Sequence, residues 1–230
     1  MSMTETIKLY DRDAYAIEFE ADIISCEPNK ADDKQFDIIL NQTLFFPEEG
    51  GQSPDMGILG GFRVVDVQIK NGVITHTVDI SADDCCIMGK EEAQTEKTTD
   101  GQIIGMECVS EKVELAAGVH VQDKIDWQHR FYNMQQHSGE HIFSGIVHRR
   151  FGFENVGFHL SDSVVTMDFS GVISPEDIAE VEHEVNVAIS KNIPIEVTYP
   201  SRDELAQLEY RSKIEIEGQV RIVTVPGYDV

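Results

Sequence analysis

Basic residues are scarce in this chain of 230 residues: 18 Lys+Arg stand against 42 Asp+Glu, a formal net charge of −24 at pH 7. The imbalance runs through both halves, net −16 over residues 1–128 and −8 over 129–230. This excludes a broad basic surface that holds polyanions by counterion release, so any contact with nucleic acid must be local. Cysteine is sparse too. Cys26, Cys85, Cys86 and Cys108 lack metal-knuckle spacing, and adjacent Cys85 and Cys86 make a poor disulfide framework. They read as reduced, mostly structural thiols, which points to a cytoplasmic protein. No apolar run approaches the ~18 residues of a transmembrane helix. The N-terminal stretch lacks a basic region followed by an apolar one, so no secretory leader is expected. Low-complexity linkers and fixed-period repeats are missing as well. What is present is an ordinary globular composition, 41% hydrophobic and 26% charged, long enough for one or two domains.

The first half reads as β. Alternating or apolar runs lie at Ala14–Ile24, Gln35–Leu40, Phe62–Ile69 and Gly72–Val78. Asn71-Gly72 between two of them signals a type I′ hairpin, which needs positive φ at both central residues. Short strands with turn signals suggest a small barrel. Residues 81–100 are polar and acidic and read as a loop excursion, with strands resuming at Gln102–Val109 and the segment 118–128 leading into the second half.

The second half reads as α+β. Asp126 is the expected N-cap of a long helix ending near Arg150, with Gly152 as its stop. Phe131, Met134, Ile142, Ile146 and Val147 supply its apolar face. Ser174 and Pro175 open a second helix with a stripe of Ile178, Val181, Val185 and Ala188. A strand at Ile193–Tyr199, a capping box from Ser201 to Glu204 and a last strand at Val220–Val225 complete it. The boundaries are therefore 1–125 for a β-barrel domain and 126–230 for an α+β domain. The switch of pattern predicts an active cleft between them.

Three motifs carry chemistry. In Gln136-His137-Ser138-Gly139-Glu140-His141, two histidines four residues apart share one side of a helix, within reach of one metal ion. Two ligands do not make a zinc site, so further donors are required. Glu140 between them reads equally as a base or as a helix-surface salt-bridge partner. Gly50-Gly51-Gln52 offers backbone freedom beside an amide, although alone it reads as a strand-connecting turn. His159, in Gly157-Phe158-His159, reads as a turn histidine that faces a pocket or lies part-exposed in a loop.

Taken in order, TLFFPEEGGQSPDMG (residues 43–57), IDWQHRFYNMQQHSGEHIFSG (125–145) and NVGFHLSDSVVTMDF (155–169) resemble the alanyl-tRNA editing family. That family comprises the editing domain of alanyl-tRNA synthetase and free-standing trans-editing proteins. The resemblance extends from about residue 14 to the C-terminus, and Leu208–Lys213 with Gln219–Val223 fits the free-standing type.

The resemblance implies a small N-terminal β-barrel packed on an α+β editing domain like that shared with threonyl-tRNA synthetase. It implies hydrolysis of the seryl or glycyl ester of mischarged alanine tRNA, with the charged acceptor end as partner and neither membrane nor DNA. It implies zinc, held by His137 and His141 and by a Cys-x3-His segment. The sequence stops at Tyr228-Asp229-Val230, where that segment is expected to begin, and no cysteine follows His141. A C-terminally incomplete editing domain with reduced activity is therefore expected. Zinc either lowers the pKa of the attacking water or anchors the substrate amine. Gln52, Glu140 and His159 are the expected catalytic residues. Thr43, Gly50, Gly51 and Gln52 are expected to read the substrate, where a buried hydroxyl contact separates serine from alanine. The alternatives are a catalytically incomplete tRNA-binding module and a metal-dependent hydrolase of another small ester or amide. Oligomeric state stays open.

Overall fold

A computed structural model describes residues 5–81, 115–161, 164–207 and 220–229. The strand expected at Gln102–Val109 and nearly all of the 81–100 excursion lie outside these residues. So do Leu208–Lys213, Cys85, Cys86 and Cys108. The chain divides into two compact units, Met1–Tyr132 and Asn133–Val230.

In the first unit, β1 (Ile7–Lys8) pairs in parallel with β4 (Gln42–Thr43). The remaining strands are β2 (Glu18–Pro28), β3 (Gln35–Leu40), β5 (Gly57–Leu59), β6 (Phe62–Lys70), β7 (Val73–Asp79) and β8 (His120–Ile125). They pair in the order β2-β3-β7-β6-β5-β8, and β8 returns to β2, closing the ring. The β6–β7 turn has φ of 51° at Asn71 and 76° at Gly72, the left-handed pair that the Asn-Gly signal requires. Period-2 alternation sends Ile74, His76 and Val78 of β7, and Val121, Asp123 and Ile125 of β8, inward. Each fully buried Ile, Leu or Val contributes roughly 1.5–3 kcal/mol against exposure. Strand β2 starts at Glu18 rather than Ala14, because Ala14 and Tyr15 lie in a turn closed by Tyr15 N donating to Asp13 Oδ1 at 2.9 Å, with Tyr15 exposed.

His76 and Asp123 are buried polar residues on the inward faces of β7 and β8. His76 is fully buried, with Nδ1 3.1 Å from the Ile38 carbonyl and Nε2 2.9 Å from Thr43 Oγ1. A carbonyl only accepts, so Nδ1 carries the proton and Nε2 accepts from the Thr43 hydroxyl. Burial pushes His76 down to about 4. Asp123 accepts from the Gly60 N–H at 3.0 Å, while its Oδ2 has no partner among the described residues. Burial raises Asp123 to about 7.

Helix α1 (Trp127–Phe151) crosses from one unit into the other. Asp126 Oδ1 accepts from Gln128 N and His129 N, capping the helix as expected, and Gly152 ends it with φ of 68°. In its first turns Arg130 donates to Asp55 and to the carbonyls of Leu44 and Ala14; Asp55 and Arg130 are both buried. Asp55 also accepts from Phe46 N at 2.7 Å. The pair thus ties the 44–55 loop to the start of α1. Phe131 does not join a buried face; it is 39% exposed and stacks on Trp127.

The second unit adds the antiparallel pair β9 (Asn155–Leu160) and β10 (Val165–Phe169), then α2 (Pro175–Ser190). Strand β11 (Glu196–Thr198), helix α3 (Arg202–Leu205) and strand β12 (Ile222–Thr224) follow, with β11 antiparallel to β12. Ser174 caps α2 by accepting from Asp177 N, and the Ser201–Glu204 capping box opens α3. The core joins Ile142, Ile146 and Val147 of α1 to Val181 and Ala188 of α2 and to Val225. Ile178 departs from the expected stripe and is 44% exposed. No helix among the described residues is long and apolar enough to cross a membrane.

Candidate metal centre

Along α1, Arg130, Asn133, Glu140 and Ser144 are buried and polar, and half-buried His137 falls in the same row at helical spacing. A buried face made of such residues is the signature of a site rather than of a packing stripe. In the second unit this row builds a connected cluster.

His137 and His141 lie one turn apart with ring centroids 5.1 Å from each other and planes within 18°. Phe158 of β9 stacks on His137 at 5.3 Å. Burial, and secondarily the neighbouring His141, lowers the pKa of His137 below the ordinary imidazole range, while Glu140 opposes this. The neutral form that metal binding requires is therefore favoured.

Glu140 is buried, 7% exposed, so it is not a helix-surface ion-pair residue. Its Oε1 accepts from Ser144 Oγ and from Asn155 Nδ2, each at 2.6 Å. Asn155 is itself oriented by the Gly157 N–H, which donates to its Oδ1 at 3.0 Å. These bonds leave Oε2 on the histidine side, 3.7 Å from His141 Nε2. The opposite nitrogen of that ring, Nδ1, lies 2.6 Å from Asp229 Oδ2.

The donor atoms of His137, Glu140 and His141 lie within 4.8 Å of one another. Around a tetrahedral zinc at about 2.0–2.1 Å, donors are separated by roughly 3.4 Å. His137 and His141 thus offer two imidazole donors that could hold a metal ion, with the Glu140 carboxylate beside them.

The remaining expected residues fall elsewhere. His159 lies in strand β9, not in a turn; it pairs with Thr166 and is exposed. Successive strand residues point to opposite faces, so His159 points away from the face on which Phe158 meets His137. Thr43, Gly50, Gly51 and Gln52 belong to the first unit. Gly50 and Gly51 have φ of 63° and 87°, and Gln52 N donates to Glu49 O at 3.1 Å, so the segment is a tight turn with Gln52 buried. The Thr43 hydroxyl is fully buried between His76 Nε2 and Phe45 N, which donates to it at 3.0 Å. It braces the chain leading to the turn, and reading a substrate hydroxyl would require exchange of one of those bonds.

Ser144, Asn155 and Asp229 were not foreseen as site residues. Ser144 had a visible signal, four residues after Glu140 on the same helix face. Asn155 and Asp229 reach the site only through tertiary packing.

No family model matches the chain. Alanyl-tRNA editing protein Aarsd1 of Mus musculus is 29% identical over 236 residues, 96% of this chain and 49% of its own length. Alanyl-tRNA editing protein AlaX-L of Pyrococcus horikoshii is 27% identical over 229 residues, covering 97% of this chain and 48% of its own. Alanyl-tRNA editing protein AlaX-M of Methanosarcina barkeri is 29% identical over 241 residues, 99% of this chain and 84% of its own. The chain thus spans about half the length of the first two and most of the third.

Proposed function

From the chain's membership of the alanyl-tRNA editing family, we propose that it hydrolyses the seryl or glycyl ester of mischarged alanine tRNA, with zinc held by His137 and His141. The observation that carries the reading is the buried Glu140 carboxylate, fixed by Ser144 and Asn155 beside two imidazoles on one helix face. Ester hydrolysis needs a water positioned and deprotonated and an oxyanion stabilised. Zinc, when bound, supplies Lewis acidity toward water or carbonyl oxygen. His137 and His141 would hold that ion through neutral imidazole nitrogens. Glu140 Oε2 takes the proton of the attacking water, and Ser144 and Asn155 keep the carboxylate from turning away. Phe158 excludes bulk water from one face of His137.

Gln52 and the Gly50-Gly51 turn are proposed substrate contacts, and a Gln52→Ala variant with unchanged kcat/KM removes that role. The acidic charge does not oppose the reading, because selective recognition of one acceptor end needs no broad polyanion surface. The test is deacylation of seryl-, glycyl- and alanyl-tRNA by wild type, His137→Ala and His141→Ala. Hydrolysis of a mischarged ester with the alanyl ester spared, abolished in both variants, supports the proposal; equal rates in all three proteins remove it.

A further inference from the structure

The segment after β12 turns back on itself: Tyr228 N and Asp229 N both donate to Val225 O, and Val225 N donates to Asp229 O. It lies against α1 at Gly145, where an added Cβ would meet the Tyr228 carbonyl oxygen at 2.1 Å and its carbon at 2.8 Å. Only a residue without a side chain allows that approach. Arg149 Nη1 donates to the Gly227 carbonyl at 3.2 Å, and Lys191 Nζ donates to Tyr228 Oη at 3.2 Å. Arg149 and Lys191 also each lie 5.8 Å from the Tyr228 ring centre. Contacts from α1 and from Lys191, the residue that caps α2, therefore seat the segment. Its last described residue, Asp229, presents a carboxylate that is 9% exposed to a half-exposed histidine.

We infer that Asp229 is the positioning residue of His141: it accepts the Nδ1–H and so fixes the tautomer whose unprotonated Nε2 faces His137 and Glu140. Hydrogen bonding at one ring nitrogen decides which lone pair the other offers. The 2.6 Å contact at Nδ1 and the Nε2 side turned toward Glu140 are the two halves of that arrangement. Gly145 acts one step further out, as the space that lets the segment deliver the carboxylate. The inference rests on the proposed metal site only for what Nε2 binds; the tautomer itself is a property of the chain.

The experiment is long-range proton–nitrogen NMR of the 15N-labelled chain at neutral pH without metal, alongside zinc titration. Wild type is expected to show His141 protonated at Nδ1 alone. Asp229→Ala is expected to return His141 to the mixed tautomers of a free imidazole and to weaken zinc binding by about 10–100-fold. Gly145→Ala, which leaves Asp229 in place but displaces Tyr228, is expected to do the same. Alanine is the better helix former, so loss of α1 would not explain that result. A tautomer unchanged in Asp229→Ala, or a wild-type His141 protonated at Nε2 or at both nitrogens, overturns the inference. Zinc that fails to bind wild type overturns the metal reading instead, and the metal-free spectra still decide the role of Asp229.

Discussion

Two buried titratable groups of opposite sense share the interior of the six-stranded ring, and removal of one should unmask the other. Asp123 has its pKa raised from 3.8 to about 7 by burial, opposed by the Gly60 N–H and by His120. A raised acid contributes stability that is fully present below its unfolded pKa and is lost as pH rises through its folded value. The loss is about 1.4 kcal/mol per pH unit, or about 4 kcal/mol between pH 4 and 7. His76 has its pKa lowered from 6.5 to about 4, so its contribution is present above 6.5 and is lost as pH falls toward 4. Between pH 4 and 6.5 the folded chain carries one extra proton on Asp123 and one fewer on His76, and the two slopes cancel. Asp123→Asn abolishes one of them. The stability of the variant minus that of wild type is expected to fall by about 4 kcal/mol as pH drops from 7 to 4. Urea unfolding followed through Trp127, the sole tryptophan and packed on this core, measures it at several pH values. Every other carboxylate cancels in the difference. A difference flat within about 1 kcal/mol over that window would refute the assignment of Asp123 as a neutral buried acid.

His76→Gln should show the mirror image, its stability relative to wild type rising by about 3 kcal/mol from pH 6.5 to 4 in the same unfolding assay. Arg130→Ala should cost about 3–5 kcal/mol, because Asp55 is left as an uncompensated charge at 0% exposure, and the Asp55→Asn/Arg130→Ala double variant should cost less than the sum of the singles. Glu140→Gln should keep its zinc, measured by metal content, while losing about 100-fold or more in deacylation rate, as expected for a base rather than a ligand; zinc loss would reassign Glu140 to the ion itself.

The sequence made the secondary structure of the second half readable because its stops and caps are local chemistry. Asp126, Ser174, Pro175, Ser201 with Glu204, and Gly152 each do in the structure what their neighbours in sequence imply. Asn71-Gly72 is equally local. What was illegible depends on tertiary placement. The apolar pattern of α1 predicts a hydrophobic face; Ile142, Ile146 and Val147 are buried as expected, but Phe131 is part-exposed, and the helix also buries a polar row that serves an ion pair at one end and an acid–imidazole cluster further along. His159 looked like a turn residue because Gly157 precedes it; strand pairing with β10 decided otherwise. The His137–His141 pair was legible from i, i+4 spacing alone. Its supports were not: Asn155 arrives after a chain reversal, and Asp229 comes from 88 residues further on.

The most direct measurement of the central claim is the rate at which the chain releases serine from seryl-tRNA of the alanine type, set against alanine from alanyl-tRNA, with zinc present and after chelation. Expected is loss of the seryl ester at a rate reduced by the incomplete ligand set yet above the uncatalysed one, slower loss of the alanyl ester, and collapse of the seryl rate on chelation or in His141→Ala. A seryl rate no faster than the uncatalysed ester, or one indifferent both to chelation and to His137 and His141, would contradict a metal-supported editing site on this helix.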